Sequence, residues 1–500
     1  MDRPRAVRIH PDDNVAVAVE PLHEGTEIAV EGARVVLVED VPAGHKLALA
    51  PLAPGDAVTK YGFVIGEATV PVAAGAWVHS QNLRTRLSGT LEYGYEPSAR
   101  VTHPRSPADA PTFLGFRRAN GRVGTRNEVW IVNTVGCVNT AAERIARVAS
   151  ERFAGRVDGV HAFSHPYGCS QLGDDLRNTQ AVLAGLLRHP NAGGVLVLGL
   201  GCENNQMDQL LALAGDVDPE RLRWFNTQDV VDEVDEGVEA VGELVARMEG
   251  DERTECLASE LILGHKCGGS DGFSGITANP LVGRIADRLT ALDGGVILTE
   301  VPEMFGAEQV LMNRAADERV FGEVVSMVND FKDYFLRHGQ PVYENPSPGN
   351  KAGGLTTLEE KSLGAIQKGG SATVSHVLRY GQRAATGGLS LLEAPGNDGV
   401  SSTAMVASGA TVLLFTTGRG TPLGFPVPTL KISSNSHIAE KKPHWIDFNA
   451  GALLEGTATL EGLADELFAR ILDVASGRVR TNNEVHGYRE IAIWKEGVTL

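Results

Sequence analysis

The run Gly194-Val195-Leu196-Val197-Leu198-Gly199-Leu200-Gly201-Cys202 is continuously apolar and stops in a glycine and a cysteine. Too short for a full helix and bounded by Gly, such a run reads as a strand buried on both faces, which places it in a parallel sheet. Two upstream segments repeat the pattern. Val129 to Val135 ends in Gly136-Cys137, and Val160 to Ser164 ends near Gly168-Cys169. Helix-compatible stretches, Thr140 to Phe153 and Asn178 to Leu187, lie between them. The cysteines recur at intervals of about 32 residues, a length one βαβ unit occupies, without an internal sequence repeat.

The pattern continues beyond a charged patch at Glu249 to Thr254, which reads as a boundary. Leu261 to Gly264 leads to Cys267-Gly268-Gly269-Ser270-Asp271, Gly295 to Thr299 leads to Glu300, and Val412 to Phe415 leads to Thr416-Thr417-Gly418-Arg419. The first ninety or so residues differ. Ala16 to Glu20, Glu27 to Val30 and Val35 to Glu39 are short strands separated by Gly and acidic turns. The expected class is α/β, with a small β-rich domain over 1–96, a Pro-rich linker over 97–111, and two mainly parallel α/β domains over 112–250 and 251–500.

A net charge of −18 argues against a nucleic-acid partner but leaves room for a small anion held by a local cationic cluster. Five cysteines without short-range pairing do not form a secreted disulfide framework, and no apolar run is long enough to span a bilayer. The expectation is a cytoplasmic protein without membrane contact, and a homo-oligomer is compatible with it.

Ligands in open α/β sheets sit beyond the carboxyl ends of the strands, where Cys137, Cys169, Cys202 and Cys267 fall. Thiolates there would bind borderline metals; the alternative is that each is a small buried residue. Cys256, in a charged helix-like stretch, stands outside this set. His165 and Tyr167 precede Cys169, and Glu203 and Asn204 follow Cys202, so proton-transfer groups adjoin the thiols. Taken singly, His165 reads as a loop histidine and Glu203-Asn204-Asn205 as a helix cap. Gly199-Leu200-Gly201 lacks the third glycine of a dinucleotide loop, and nicotinamide binding is set aside.

Longer strings carry more. Thr134-Val-Gly-Cys-Val-Asn139, Ser164-His-Pro-Tyr-Gly-Cys-Ser-Gln-Leu-Gly-Asp174, Gly199-Leu-Gly-Cys-Glu-Asn-Asn205, Cys267-Gly-Gly-Ser-Asp-Gly272, Glu300-Val-Pro-Glu-Met-Phe-Gly306 and Phe415-Thr-Thr-Gly-Arg-Gly-Thr-Pro422 resemble the galactarate dehydratase/altronate dehydratase family. The resemblance spans essentially the whole chain, including an N-terminal module that looks like a SAF domain. It implies a hydro-lyase acting on a sugar acid, D-altronate giving 2-dehydro-3-deoxy-D-gluconate in hexuronate breakdown, with galactarate as the alternative substrate. It also implies Fe2+, replaceable by Mn2+; an iron–sulfur cluster on the cysteines is the competing form, and a sugar-acid-binding protein with a degenerate site is the non-enzymatic one.

The chemistry requires a base for the C2 proton, an acid for the leaving C3 hydroxyl and a cation for the enediolate. His165 is expected as the base, Tyr167 or Glu203 as the acid, and Cys137, Cys169, Cys202 and Cys267 as metal ligands. His45 and His79 form an alternative metal or substrate site, with Lys60 and Asn82 nearby. Asn139, Asn204, Ser270, Asp271, Lys351 and Arg419 complete the candidate substrate contacts.

Overall fold

The computed structural model of the protein describes residues 4–98 and 110–497. Most of the proline-rich stretch expected as a linker lies outside the described residues. Short antiparallel strands make the N-terminal module: a four-stranded sheet ordered Ala6–Val7, Val15–Ala18, Lys46–Ala48, Trp77–Val78, and a three-stranded sheet of Ala57–Lys60, Phe63–Ala68 and Leu83–Arg84. Asp13 ties turns of the module together by accepting the amides of His10, Tyr61 and Gly62.

In the middle domain four parallel strands run in the order Gly159–Phe163, Glu128–Asn133, Ala192–Gly199, Leu222–Asn226. Alternate residues face opposite sides. Val129 and Ile131 pack with the helices Asn139–Arg152 and Glu233–Met248, while Trp130 and Val132 pack with Gly173–Leu187 and Met207–Ala214. Covering both faces is what makes the central strands uniformly apolar.

The C-terminal domain carries a seven-stranded parallel sheet ordered Val374–Leu378, Gly388–Leu392, Gly295–Leu298, Ile262–Cys267, Val412–Thr417, Thr429–Ser433, Phe448–Asn449. Its first strand in sequence, Ile262–Cys267, is central. The chain first adds strands on one side of it, then crosses to place Val412–Thr417 on the other. That reversal opens a crevice at the carboxyl ends of these two strands, where ligands bind in doubly wound sheets. Cys256 lies in the strand Thr254–Leu257, buried and paired with Thr112–Arg117, which corrects its helical reading. Thr254, Glu255 and Leu257 around the buried thiol are exposed, and Glu255 alone of them is charged.

The two α/β domains stand side by side. Near the strand beginnings, the Thr125 hydroxyl donates to the Thr411 carbonyl at 3.1 Å, and His189 Nε2 lies 3.0 Å from the Ala410 carbonyl. Beyond the strand ends, the C-terminal tail bonds Thr403 through the Ala492 amide and Asp175 through the Glu496 amide. Four residues of chain span at most about 14 Å. Ala492 also packs on Gly399, at the start of helix 398–407, so the starts of helices 173–187 and 398–407 lie close together, with both sheets' carboxyl edges on one side of the molecule. Among the described residues no helix is long and apolar enough to cross a membrane.

Candidate active site

Three loops interlock at the middle sheet's carboxyl edge. The Gly136 amide donates to the Tyr167 carbonyl at 2.8 Å, Asn205 N to the Gly168 carbonyl at 3.0 Å, and Ser170 N to Asn204 Oδ1 at 2.7 Å. A Cβ on Gly168 would sit 2.1 Å from the Thr134 carbonyl oxygen, and its φ is 101°, so this close crossing requires glycine. Cys137, Cys169 and Cys202, one per loop, are all exposed. Their contacts are weak: Cys169 Sγ lies 3.7 Å from the Ser170 hydroxyl, and Gln228 donates to Cys202 Sγ at 3.6 Å.

The groups flanking these thiols have other work, which corrects their expected roles. His165 is buried, with Nε2 2.9 Å from the Asn133 carbonyl and Nδ1 accepting the Tyr167 amide at 3.2 Å. Both ring nitrogens are taken by backbone, burial pushes its pKa down, and none of its nitrogens is free to act as the base. The Glu203 carboxylate accepts the Thr134 hydroxyl and the amides of Leu200 and Gly201. Burial pushes its pKa up, but those bonds outweigh it and hold the group below the usual range, which unfits it as an acid. Asn139 clips Asn133 to the His165 backbone, and Asn204 clips Ser170, so both amides brace loops. Tyr167 is half-buried and packs against the apolar cluster shared with the C-terminal domain.

Cys267 stands apart from the other three, at the end of the C-terminal sheet's central strand, 2% exposed. Its Sγ lies 3.2 Å from Glu303 Oε2 and 3.7 Å from Glu300 Oε2, and Lys368 Nζ donates to it at 2.8 Å. Burial first, then the two carboxylate charges, pushes the thiol up to about 12. Lys266 pairs with Glu300 and, at 2.7 Å, with Asp398; Lys361 pairs with Glu303 at 2.8 Å. Glu300 has φ 72°, a left-handed backbone that a non-glycine residue holds only when its surroundings impose it.

Beside this cluster lies a cavity of about 720 Å³, lined by Glu303, Lys361, Asp398 and Arg419 together with Asn345 and Asn350. Arg419 is exposed and, among the described residues, has no ion pair or side-chain hydrogen bond. Lys351 sits half-buried at the end of the short helix Pro348–Ala352, outside the cavity lining. Ser270 offers its carbonyl to Asn350 at 2.8 Å, and Asp271 is a buried hub accepting Ser274, Ser434 and Asn435 side chains. The Gly418 backbone packs directly on that carboxylate. Asp271 thus shapes the crevice from below and does not face a ligand.

In the N-terminal module Lys60 and Asn82 are held in structural bonds, which corrects their expected substrate contacts. Lys60 and Lys46 both pair with Glu360 at 2.8 Å in a wholly buried cluster. Asn82 accepts the His79 amide and donates to the Trp77 carbonyl, a turn brace. His45 accepts the Trp77 indole N–H at 3.1 Å, and His79 Nδ1 lies 3.0 Å from the Thr356 hydroxyl. Both ring nitrogens of His45 are taken, by Trp77 and, at 3.4 Å, by the Ala352 carbonyl, while His79 Nε2 has no hydrogen-bond partner among the described residues.

Family models match in three consecutive blocks: an altronate/galactarate dehydratase SAF domain over 4–86, the D-galactarate dehydratase/altronate hydrolase second domain over 115–249, and the D-galactarate/altronate dehydratase C-terminal domain over 258–499. The chain belongs to the galactarate/altronate dehydratase family. It is 52% identical to the altronate dehydratase of Escherichia coli K12 and 49% to that of Bacillus subtilis 168, each over 99% of both chains. The galactarate dehydratase (L-threo-forming) of Escherichia coli K12 is 34% identical, over 98% of this chain and 96% of that protein.

Two places in this family member offer donors for iron. Cys267, Glu300 and Glu303 bring their donor atoms within 4.8 Å of one another. Each of the three already faces an ammonium, however, so a cation there would compete with Lys266, Lys361 and Lys368. Cys137, Cys169 and Cys202 are accessible and weakly partnered, but among the described residues they do not form a group whose donor atoms lie within 4.8 Å of one another, so as soft donors they suit the wider span of an iron–sulfur group rather than a single ion. Sequence reasoning gave no role to Glu303, Lys361, Lys368 and Asp398; the Glu300–Gly306 string and the Gly-Asn-Asp turn at 396–398 were the available signals.

Proposed function

We propose that this hydro-lyase removes water from D-altronate, giving 2-dehydro-3-deoxy-D-gluconate, in the crevice of its C-terminal domain. The observation that carries the siting is the unpaired Arg419 facing Glu303, Lys361 and Asp398 across one cavity. Arg419 holds the substrate carboxylate in a two-pronged contact. Asp398 Oδ1 is held by Lys266 while, among the described residues, Oδ2 has no hydrogen-bond partner, so Oδ2 takes the C2 proton. Asn345, oriented by Lys361, faces the sugar hydroxyls, and Asn350, whose amide is spent on Ser270, Ser347 and Lys361, braces that wall.

An iron–sulfur group held by Cys137, Cys169 and Cys202 would supply the Lewis acid that helps the C3 hydroxyl leave. In support, the cysteine loops and the crevice open on the same side of the molecule, beside the adjoining starts of helices 173–187 and 398–407. Exposed free thiols suit a reducing compartment, and we place the protein in the cytoplasm.

One unpaired guanidinium suits one carboxylate, which favours a hexonate over the two-carboxylate galactarate. The test is kcat/KM on altronate and galactarate for the wild type and for Arg419→Gln and Asp398→Asn. The expected result is preference for altronate, with a loss of about 10²–10³-fold in either variant. Near-normal turnover of both variants with intact fold would place the chemistry elsewhere.

A further inference from the structure

A second cavity, about 630 Å³, opens at the opposite end of the middle sheet from the cysteine loops. Its charged wall is Arg117, Arg118, Arg188 and Arg221, with Asp216 and Asp218. Three of the arginines are matched to acids: Arg117 to Glu260 at 2.6 Å, Arg118 to Asp251 at 3.4 Å, and Arg221 to Asp251 at 2.6 Å. Arg188 is not. Its Nε is buried with no hydrogen-bond partner, and its Nη2 reaches only the Gly381 carbonyl at 3.4 Å.

Two more guanidiniums crowd the same corner. Arg383 is held down to about 10, by burial first and then by the charges of Arg122 and Arg188, with Asp216 as the opposing charge. Arg122 donates to the Ala384 carbonyl at 2.9 Å. Among the described residues none of Arg122, Arg188 and Arg383 makes an ion pair with a carboxylate. Asp216 is the carboxylate whose charge reaches Arg383, and among the described residues no ion pair is made with it, so this corner keeps a local excess of positive charge, with a cost, in a chain of net charge −18. An anion that enters the cavity removes that cost.

We propose that this cavity is a binding site for the phosphate group of a small molecule. Guanidinium forks match tetrahedral oxyanions in geometry, and a volume of this size accommodates a metabolite. Leu187, Val195 and Val217 give a carbon skeleton an apolar wall. The site is remote from the crevice: helix 173–187 runs from the cysteine loops to Arg188, about 22 Å along its axis. Free inorganic phosphate and a phosphorylated sugar acid share the required chemistry.

The experiment is calorimetric titration of the full chain with inorganic phosphate and, separately, with 6-phosphogluconate. Saturable binding to the wild type is expected, weakened about tenfold or more in Arg188→Gln/Arg383→Gln and retained in Arg419→Gln. Tighter binding of phosphogluconate assigns an organic phosphate, and equal affinity assigns inorganic phosphate; both support the site. Arg188→Lys, which keeps the charge without the fork, is expected to weaken binding and serves if the double variant does not fold. No saturation with either probe, or affinity unchanged in the Arg188 variants, overturns the proposal. Turnover of altronate without added phosphate stays at the wild-type level in Arg188→Lys, so this test is separate from that of the crevice.

Discussion

The carboxyl edges of the two parallel sheets carry the same residue type in opposite states. On the middle sheet, three cysteines are exposed and barely bonded. On the C-terminal sheet, Cys267 is sealed among two carboxylates and an ammonium. A thiol at a strand end is therefore not one kind of site. Exposure and charge around it decide whether it is a ligand for something soft or a neutral filler between ion pairs.

The largest effect should come from exchanging roles across this comparison. Cys137→Ser, Cys169→Ser and Cys202→Ser are each expected to remove bound iron and lower turnover by about 10³-fold. Cys267→Ser should leave iron content unchanged, as read by metal analysis of anaerobically purified protein. Iron lost from the Cys267 variant and kept in the other three would invert the comparison.

Stability should reverse the ranking. Cys267→Ala leaves Lys368 without its sulfur partner in a packed interior, an expected cost of about 1–3 kcal/mol in denaturant unfolding. Alanine at the exposed positions should cost about 0.5 kcal/mol or less. Native alkylation sharpens the same contrast: iodoacetamide at pH 8 should label Cys137, Cys169 and Cys202 in iron-free protein, and Cys256 and Cys267 only after unfolding. Burial and the two neighbouring carboxylates push the Cys267 thiol up, so it stays neutral and unreactive at that pH.

The smallest effect expected is acid loosening of the N-terminal module. Burial and neighbouring positive charge hold His79 down to about 4, so the unfolded chain binds its proton more readily than the native one. That contribution is complete above pH 6.5 and fades as pH falls toward 4. Glu360, where Lys46 and Lys60 outweigh burial and hold the carboxyl at about 2, adds a second loss between pH 4.5 and 2. Melting temperature should fall steadily over both windows; a flat profile from pH 6.5 to 4 would rule out the His79 part.

The strands were readable because a strand covered on both faces must be continuously apolar, and Val129–Val132 and Val195–Leu198 are. The four strand-end cysteines were readable for the same reason. Their divergence was not, since Cys267 acquires its surroundings from Glu300, Glu303 and Lys368, which only the folded sheet brings together. His165 shows the opposite failure. Its residue type suggested proton transfer, but two backbone bonds that no local pattern announces occupy its ring. Lys60 and Asn82 misled similarly, because a buried ion pair and a turn brace use the same residue types as a sugar-acid site.

The Glu360 carboxylate belongs to the helix Leu358–Ala365, yet both of its cationic partners come from the first sixty residues. A chain trimmed to begin at Pro111 would keep every cysteine and the whole crevice lining, but would bare this anion and the segment before it. Attempts at a smaller catalyst by N-terminal deletion should therefore yield aggregation-prone protein unless Glu360 is also replaced by an apolar residue. The N-terminal module is a permanent part of this wall, and any deletion that removes it must also deal with the anion it leaves behind.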